Sequence, residues 1–463
     1  MKNLNDQFVV IAGMPLVNSP HAPLAAPAVL KASLAQHGIK SVAIDLNIEV
    51  LTKILSHPNR QELEKFFQDQ TAQDWVVQDV SAILFYCANR IIKHNPTIIA
   101  LSLLTSECQN FTLWLCLILR QIYPQGKIVV GGPGIKHFVA DSDNRFQEFI
   151  LSAGLVDHYI TGDGENSLVE YVNGNIGYPG INSSTWLPVE DLDVVPFPDW
   201  SDYNFFLYSR FYMPVVDSKG CVRSCEFCDV IEYWKKFKSR KAEKIFNEML
   251  HQIEIYGLRD FDFRSSLSNG NLKEFRKLLQ IMYDYNQSKQ YRPEKISWNA
   301  SFIVRSKSQH PEEMWMKMGE TYATLSLGIE SVIPHVRQGL GKHFENEDID
   351  YHLEMAKKYG VKIVLMIITG YPTETLEDYE FTKQWFRDRV QYNDTISRLF
   401  LSPATILPGT GLERNMKKYG IITIGKSLLN WQTKQITSEQ RNLYQQELVS
   451  LCRNELKFNL NEY

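Results

Sequence analysis

The chain has 463 residues, of which 44% are hydrophobic and 22% are charged, and its formal net charge is −4. This length suits two or three domains with large cores, and the composition is that of a globular protein. The small negative charge gives no overall basic surface, so we expect no nucleic-acid partner. The first residues lack a signal-peptide pattern and no apolar run reaches the roughly 18 residues of a membrane helix, so we expect a cytoplasmic protein without a membrane contact.

The first 172 residues alternate between short apolar runs and stretches with helical spacing, such as Ala25–His37 and Asn110–Tyr123. This alternation is typical of an α/β fold with a doubly wound parallel sheet, which is a Rossmann-like domain. Ligands of such sheets bind outside the carboxyl ends of the strands. The predicted strands are Phe8–Ala12, Ser41–Asp45, Thr97–Leu103, Lys127–Val130 and His158–Thr161.

The remainder of the chain divides into three predicted parts. Residues 173–205 are rich in Gly, Pro, Asn and Ser, which indicates a linker. Residues 206–419 alternate again between strands and helices and predict a partial (β/α)6 barrel, and residues 420–463 predict a helical tail. The predicted barrel strands are Met213–Val216, Phe261–Arg264, Ile296–Ala300, Thr324–Gly328, Val361–Ile368 and Arg398–Leu401, and the predicted helices are Ala242–Tyr256, Leu272–Tyr285, Pro311–Met318, Glu347–Tyr359 and Leu376–Arg389.

Three of the seven cysteines lie close together after the first predicted barrel strand, in Gly220-Cys-Val-Arg-Ser-Cys-Glu-Phe-Cys228. Cys221, Cys225 and Cys228 have the spacing C-x3-C-x2-C. Cysteine thiolates bind iron–sulfur clusters, and three ligands for four irons leave one iron open to a small chelating molecule. The alternative is a structural zinc site, which needs a fourth ligand, but the next cysteine, Cys452, is far along the chain. The spacing therefore favours a [4Fe-4S] cluster.

This loop resembles the cluster loop of the radical S-adenosylmethionine (SAM) superfamily, in the group that carries an amino-terminal cobalamin-binding-like domain. Further segments resemble the same group, and their order along most of the chain makes the set specific. In the second half they are Asp229-Val230, Arg240, Ser326–Ser331, Val336-Arg337, Gly341-Lys342, Thr369–Thr375, Pro403 and Leu407–Thr410. In the first half they are Pro15, Pro20, Pro23, Pro27, Asp45-Leu-Asn47, Val129–Gly132, Val156-Asp157 and Gly162–Glu165.

The resemblance implies a mechanism and its cofactors. The open iron would chelate the amino and carboxylate groups of SAM, and a reductant such as flavodoxin or ferredoxin would supply one electron. SAM would then be cleaved to methionine and a 5′-deoxyadenosyl radical, which abstracts a hydrogen atom from the substrate. Residues 1–172 would have the fold of a cobalamin-binding domain. Asp157-His158 is followed by Tyr rather than by an Asp-x-His-x-x-Gly pattern, so we predict no histidine ligand to cobalt, and cobalamin binding stays open.

Three residues are candidates for SAM contacts by their position in the family motifs. Phe227 stands where an aromatic side chain packs near the adenine. Glu330 ends a predicted strand and suits the ribose hydroxyls. Arg305 suits a bidentate contact with the SAM carboxylate. The structural alternatives are a loop anchor for Phe227, a helix cap or ion pair for Glu330, and a solvated surface position for Arg305.

Two loops supply weaker candidates. Gly370 and Tyr371 would let the backbone approach the adenine, although glycine turns after strands are common. After the second barrel strand, where the family often has an acidic residue, this chain has Arg264-Ser-Ser-Leu-Ser-Asn-Gly270. We therefore expect Ser265, Ser266 or Asn269 to make polar contacts there.

Two reactions are consistent with the resemblance. The first is the epimerisation of L- to D-residues in a ribosomal precursor peptide, as in proteusin-type peptide epimerases, in which a cysteine thiol returns a hydrogen to the substrate radical. Cys452 is the candidate donor if the tail folds back over the barrel mouth, and a buried helix cysteine is the structural alternative. Cys87 and Cys116 are expected in the core, whereas Cys108 lies in a loop expected to face the crevice.

The second reaction is cobalamin-dependent C-methylation, which needs no donor cysteine. The loops Pro15–Pro23, Leu104–Ser106 and Gly131–Gly134 would then surround the cofactor. A third interpretation, an iron–sulfur electron carrier or sensor, predicts no SAM cleavage, and the motifs around Glu330 and Gly370 argue against it. Of the two enzymes, the sequence favours the epimerase, and with it a peptide substrate.

Overall fold

The structure is a computed structural model that describes residues 7–15, 22–58, 60, 62–63, 74–136, 145–210, 212–424 and 430–460. It consists of two compact units, Met1–Pro214 and Val215–Tyr463. In the described ranges no helix is long and apolar enough to cross a membrane.

The first unit contains a five-stranded sheet in the order β2-β1-β3-β4-β5, in which every neighbouring pair is parallel. This is the flavodoxin-like order of a doubly wound sheet and confirms the predicted fold. The strands are β1 Phe8–Gly13, β2 Lys40–Asp45, β3 Ile98–Ser102, β4 Lys127–Gly131 and β5 His158–Ile160. The helices are α1 Ala25–Gln36, α2 Leu46–Leu55, α3 Asp74–Ile92, α4 Gln109–Ile122, α5 Phe146–Ser152 and α6 Gly164–Val172.

Strands β1 and β3, in the middle of this sheet, are apolar along almost their whole length because both faces are covered. Val10 and Ile99 belong to a cluster on one face, whereas Val9, Ile11 and Ala100 belong to a second cluster on the other. Alternate residues of a strand point to opposite faces, so a strand buried on both sides has a continuous apolar run. The apolar runs in the sequence therefore located these strands correctly.

Residues 173–205, predicted as a linker, belong to the first unit and pair with its backbone. Thr161 N donates to Gly180 O (2.8 Å), and Leu187 N donates to Thr161 O (3.2 Å). Trp200 is fully buried, and the Tyr203 hydroxyl donates to Leu24 O (2.9 Å). The stretch is therefore an ordered strap on the first unit.

The crevice predicted beside the first sheet does not contain Cys108. Cys108 is completely buried in the larger core cluster, and its thiol donates to Met14 O (3.8 Å). Cys87 and Cys116 are buried as expected. Residues 16–21 of the predicted Pro15–Pro23 loop, including Pro20, lie outside the described residues.

The second unit is a (β/α) partial barrel whose strands follow one another in space in their chain order, β6-β9-β10-β11-β12-β13. The pairs from β9 to β13 are parallel, which confirms the predicted architecture. The strands are β6 Tyr212–Val215, β9 Asp260–Phe263, β10 Ser297–Phe302, β11 Ala323–Glu330, β12 Lys362–Thr369 and β13 Ile396–Pro403. The helices up to residue 420 are α7 Val230–Tyr233, α8 Ala242–Tyr256, α9 Leu272–Gln287, α10 Glu312–Glu320, α11 Pro334–Gly339, α12 Asn346–Tyr359, α13 Leu376–Arg387, α14 Gly411–Arg414 and α15 Met416–Tyr419.

The two faces of the barrel strands differ in chemistry. On β10, Trp298, Ala300 and Phe302 are fully buried, whereas Asn299 and Ser301 between them are half-buried. The buried face suits packing beneath the helices, and the half-buried face suits the inner side of the barrel.

Short elements complete the second unit. A small hairpin of β7 Ser218–Lys219 and β8 Lys238–Ser239 flanks the cysteine loop. The tail contains a second hairpin, β14 Ile422–Thr423 with β15 Trp431–Gln432, and then α16 Ser438–Ser450, which runs into a π-helix, Leu451–Glu455. The predicted helical tail is thus present.

Candidate active site

The cysteine loop connects β7 to α7 and starts at a glycine that the conformation requires. Gly220 has φ +81°, and a Cβ there would lie 2.7 Å from Lys236 O on the neighbouring hairpin. Cys225 is buried, whereas Cys221 and Cys228 are half-buried. The backbone N–H of Arg223 donates to the Cys221 sulfur (3.4 Å). The loop therefore curves around its first cysteine, as a sulfur-binding loop does.

The three sulfurs are near enough to influence one another. Burial raises the pKa of Cys228 to about 12, and the Cys225 and Cys221 sulfurs contribute to the rise. Burial also raises the pKa of Cys225, while the Lys342 ammonium opposes the rise. Metal binding would offset these shifts because a coordinated thiol is deprotonated. Among the described residues, no group of three or more His, Cys, Asp or Glu side chains is close enough together to hold a single metal ion. The thiolates that bind a four-iron cluster are farther apart than those that bind one ion, so this finding concerns single-ion sites.

Two loops at the carboxyl ends of barrel strands hold the cysteine loop. After β11, Leu340 O accepts from Glu226 N (3.2 Å). The next residue, Gly341, has φ +84°, and a Cβ added to it would lie 3.4 Å from the Cys225 Cα. After β13, Leu412 N donates to Glu226 O (2.6 Å). The cysteine loop is thereby held at the barrel mouth.

Glu330, at the end of β11, forms a buried ion pair with Lys342 (Oε1 to Nζ 3.1 Å). Burial disfavours the charge on Lys342, but Glu330 and the Cys225 and Cys221 sulfurs outweigh it and raise the pKa of Lys342. Glu330 has φ +61°, a left-handed conformation that costs energy in a non-glycine residue and is concentrated at functional sites. Glu330 therefore forms an ion pair, which was one of its structural alternatives, and its backbone is strained at a position beside the cysteine loop.

Lys342 also connects Glu330 to Phe227. Its Nζ donates to Gly328 O (2.9 Å) and lies 5.9 Å from the centre of the half-buried Phe227 ring. The sequence motif Gly341-Lys342 contained this lysine, but Phe227 and the cysteine loop lie far earlier in the chain, so its contact with them could not be predicted.

Arg305, after β10, is half-buried and is not the solvated arginine of the structural alternative. Its Nη2 donates to Asn269 O (2.9 Å) and Gly270 O (3.3 Å), while its buried Nε has no hydrogen-bond partner. Burial and the neighbouring Arg223 and Arg276 lower the pKa of Arg305, and the Cys221 sulfur opposes them. The guanidinium is thus held beside the cysteine loop, and its Nε–H remains able to donate a hydrogen bond.

The polar residues after β9 have different surroundings. Ser265 is buried, and its Oγ accepts from Ser218 N (2.9 Å), so it joins the two loops. Ser266 is exposed. Asn269 is completely buried, where its side chain bonds both backbone polar groups of Ile303. Ser265 and Asn269 therefore support the loops, and only Ser266 is openly accessible.

Gly370 and Tyr371, after β12, both contact other parts of the second unit. Gly370 has φ +67°, and its carbonyl accepts from Arg441 Nε (3.2 Å). Tyr371 is 1% exposed, with its hydroxyl donating to Gly339 O (3.4 Å) and its ring 5.9 Å from that of Tyr419 in an edge-on arrangement. Tyr371 is therefore a packed core side chain at the mouth.

The tail reaches the barrel mouth through Arg441 rather than through Cys452. The Arg441 guanidinium donates to Gly370 O and, at 2.6 Å, to Ala404 O, beyond the carboxyl ends of β12 and β13. One turn later, Gln445 Nε2 donates to Leu401 O (2.5 Å) within β13. The helix α16 therefore starts at the mouth and runs along β13 towards its amino end.

Cys452 lies about three helical turns beyond Arg441, roughly 16 Å along the axis. It is completely buried in the π-helix, its carbonyl accepts from Phe458 N (2.8 Å), and burial raises its pKa to about 12. The following segment pairs with the first half of β13, where Leu399 N donates to Asn459 O (2.8 Å). The expectation that the tail places Cys452 over the mouth is therefore wrong, because the Arg441 contacts fix the start of α16 there instead.

Comparisons with known proteins agree with this geometry. The family model of the radical SAM superfamily matches residues 215–386. The chain carries a radical SAM domain. Its cysteine loop, the barrel strands β9 to β12 and the loops around Glu330 and Arg305 all fall within the matched residues. The radical SAM domain that the sequence predicted is therefore present.

Similar proteins extend across both units. The chain is 24% identical over 419 residues to an uncharacterised methyltransferase of Pyrococcus horikoshii, covering 83% of this chain and 84% of that protein. The fold matches the structure of the radical SAM methyltransferase TsrM from Kitasatospora setae, with cobalamin and a [4Fe-4S] cluster bound (TM-score 0.64, 16% identity, 91% of this chain and 82% of that one). It also matches the cobalamin-dependent SAM radical enzyme OxsB with aqua-cobalamin and SAM bound (TM-score 0.66, 15% identity, 97% and 67%).

These comparisons change the order of the two predicted reactions. The Pyrococcus relative and TsrM are named methyltransferases, which favours methylation over peptide epimerisation.

Proposed function

We propose that this chain is a cobalamin-dependent radical SAM methyltransferase. The observation that carries the proposal is the likeness of both units together to proteins of that kind, since the match to TsrM spans 91% of this chain. A radical SAM domain alone would fit many reactions, but a flavodoxin-like domain before it is the part that a corrin cofactor would need. The peptide substrate belonged to the epimerase interpretation and is not carried into this proposal.

The second unit suits the cluster and SAM. Cys221, Cys225 and Cys228 would hold a [4Fe-4S] cluster, and their half-buried loop at the barrel mouth leaves one side of it open. When bound, the cluster and SAM supply the radical that takes a hydrogen atom from the substrate. The surrounding residues would orient SAM and exclude water from it.

Three side chains would bind SAM. Arg305 would pair with its carboxylate, because its buried Nε lacks a partner that a carboxylate oxygen supplies. Glu330 would accept bonds from the ribose hydroxyls while Lys342 holds its other oxygen. Phe227, half-buried beside Lys342, would pack near the adenine, and the backbone at Gly370 and Tyr371 would approach the adenine.

The first unit suits cobalamin at the carboxyl edge of its sheet. Its strand order changes direction between β1 and β3, where flavodoxin-like sheets bind ligands. Gly132 (φ +98°) and Gly134 let the loop after β4 lie on the loop after β3: a Cβ on them would come within 2.3 Å of Leu103 O and 2.2 Å of Thr105 O. Leu104 and Thr105 are exposed on the rim that results.

His158 would not be the lower ligand of cobalt. It starts β5, so it lies at the amino end of that strand, and its Nδ1 is 2.7 Å from Asn182 Nδ2. The carboxyl edge of the sheet is at the opposite end. His158 is therefore not among the residues that we propose to hold cobalamin.

The products of SAM test the proposal without knowledge of the substrate. A methyltransferase that takes its methyl group from SAM leaves S-adenosylhomocysteine, whereas reductive cleavage alone leaves methionine and 5′-deoxyadenosine. We expect the reduced, cobalamin-loaded protein to form S-adenosylhomocysteine, and the same protein without cobalamin to form none. Cleavage to 5′-deoxyadenosine alone under both conditions would exclude methylation and return the epimerase to first place. A Cys225→Ala variant controls for contaminating methyltransferases.

A further inference from the structure

A chain of buried polar side chains runs away from the candidate site on the helix side of the barrel. Asn269 Nδ2 is 3.2 Å from His310 Nε2, and His310 Nδ1 is 3.1 Å from His352 Nε2. His352 Nδ1 is 2.8 Å from Asp348 O. All three side chains are 0% exposed. Burying a polar group costs free energy unless its hydrogen bonds are made. A buried network whose hydrogen bonds are all made is rigid and fixes the positions of the side chains in it.

The last acceptor fixes the direction of every bond in the chain. A backbone carbonyl can only accept, so His352 Nδ1 carries a proton and His352 Nε2 must accept from His310 Nδ1. His310 Nε2 then accepts from the Asn269 amide. Both rings must be neutral, and burial lowers the pKa of His310 to about 2 and that of His352 to about 4. The orientation of the Asn269 amide is thereby determined.

Asn269, whose amide orientation is fixed in this way, hydrogen-bonds to the segment that carries Arg305. Its side chain accepts from Ile303 N (3.0 Å) and donates to Ile303 O (2.9 Å), two residues before Arg305. Its own carbonyl accepts from Arg305 Nη2 (2.9 Å). One asparagine therefore fixes both the backbone approaching Arg305 and one side of the guanidinium, and it leaves the buried Nε without a protein partner.

We propose that Asn269, His310 and His352 are positioning residues that hold Arg305 ready for the carboxylate of SAM; this rests on the proposed function. A guanidinium already fixed in place loses less conformational entropy when the ligand binds. Residues that orient the ligands of a metal typically change affinity about 10–100-fold when they are lost, and we expect an effect at the lower end of that range here.

The test measures SAM binding to the anaerobic, cluster-loaded full chain. SAM is titrated into the reduced protein, and the electron paramagnetic resonance signal of the cluster reports occupancy at the open iron. We expect His310→Leu to weaken SAM binding about tenfold. His310→Gln, which keeps one acceptor and one donor, should restore most of the affinity. His352→Phe removes the acceptor for His310 and is the second variant if His310→Leu does not retain its cluster.

Trp315→Phe is the matched control for packing. Trp315 packs edge-on against His352 (5.0 Å between centroids) and near His310 (6.5 Å), outside the hydrogen-bond chain. It should bind SAM as wild type does. SAM binding by His310→Leu and His352→Phe that is equal to that of the control would overturn the inference.

A double-mutant cycle with Arg305→Ala shows whether the histidine acts through Arg305. In that background we expect His310→Leu to cause no further loss of SAM affinity, because the group that it positions is gone. An additive loss would contradict the inference. If wild-type protein with an intact cluster does not respond to SAM, the proposed function fails instead, and the two failures are thereby distinguished.

Discussion

Gly328→Ala is a small perturbation aimed at Glu330. A Cβ on Gly328 would lie 2.4 Å from Glu330 Oε1 and 3.3 Å from Lys342 Nζ. Carbon and oxygen cannot approach so closely, so the carboxylate must move away from the position where Lys342 holds it. The backbone of Gly328 has no positive φ, so the strand itself accepts alanine. The added methyl therefore acts on the Glu330 carboxylate without deleting any charge.

The expected cost has two parts. Overpacking of a filled site costs about 1–3 kcal/mol, and about 2 kcal/mol corresponds to a fall of roughly 4–8 °C in the melting temperature of a unit of this size. A displaced carboxylate also loses its bonds to the ribose. Hydrogen bonds to charged groups contribute about 1.5–3 kcal/mol, so SAM should bind roughly tenfold to a hundredfold more weakly.

Gly339→Ala is the matched control, because the nearest atoms to a Cβ there are 3.8 and 4.0 Å away, in Tyr371 and Thr373. Both variants are compared with wild type by anaerobic thermal unfolding and by SAM titration of the reduced cluster. We expect Gly339→Ala to differ little from wild type in both measurements. If Gly328→Ala has the same melting temperature and the same SAM affinity as Gly339→Ala, the assignment of Glu330 to the ribose is refuted.

Three further predictions concern the cluster, the tail and pH. Cys225→Ala should remove the visible absorbance of the cluster, whereas Cys116→Ala, in the core of the first unit, should retain it; equal spectra would exclude the ligand assignment. Cys452→Ala should leave product formation unchanged because the thiol is buried away from the mouth, and loss of product with the cluster and SAM cleavage both retained would restore its donor role. Burial raises the pKa of Glu374 from 4.5 to about 7, so its protonated form stabilises the fold, and the unfolding free energy should fall as pH rises through this window. Glu374→Gln should flatten that dependence in thermal melts, and an unchanged slope would show that another group is responsible.

The sequence was sufficient for features that depend on local pattern. A parallel strand buried on both faces has a continuous apolar run, so β1 was found from its apolar run alone. The spacing of Cys221, Cys225 and Cys228 located the cysteine loop because all three cysteines lie on one short segment.

Features that depend on distant packing were not predictable in the same way. Glycine- and proline-rich composition is shared by flexible linkers and ordered straps, so only contacts in the fold, such as the pairing of Leu187 with Thr161, distinguish them. The helical pattern of the tail gave its secondary structure but not its direction, which depends on the contacts of Arg441. The chain from Asn269 to His352 joins three separated segments, and no local pattern marks it.

The cofactor content of the protein tests the central claim most directly. The full chain is produced anaerobically with cobalamin supplied, and iron and corrinoid are then measured on the purified protein. We expect about four irons per chain, as one cluster of this type contains, together with equimolar cobalamin. The same iron content without corrinoid would contradict the methyltransferase, and iron absent from a correctly folded protein would contradict the radical SAM site itself.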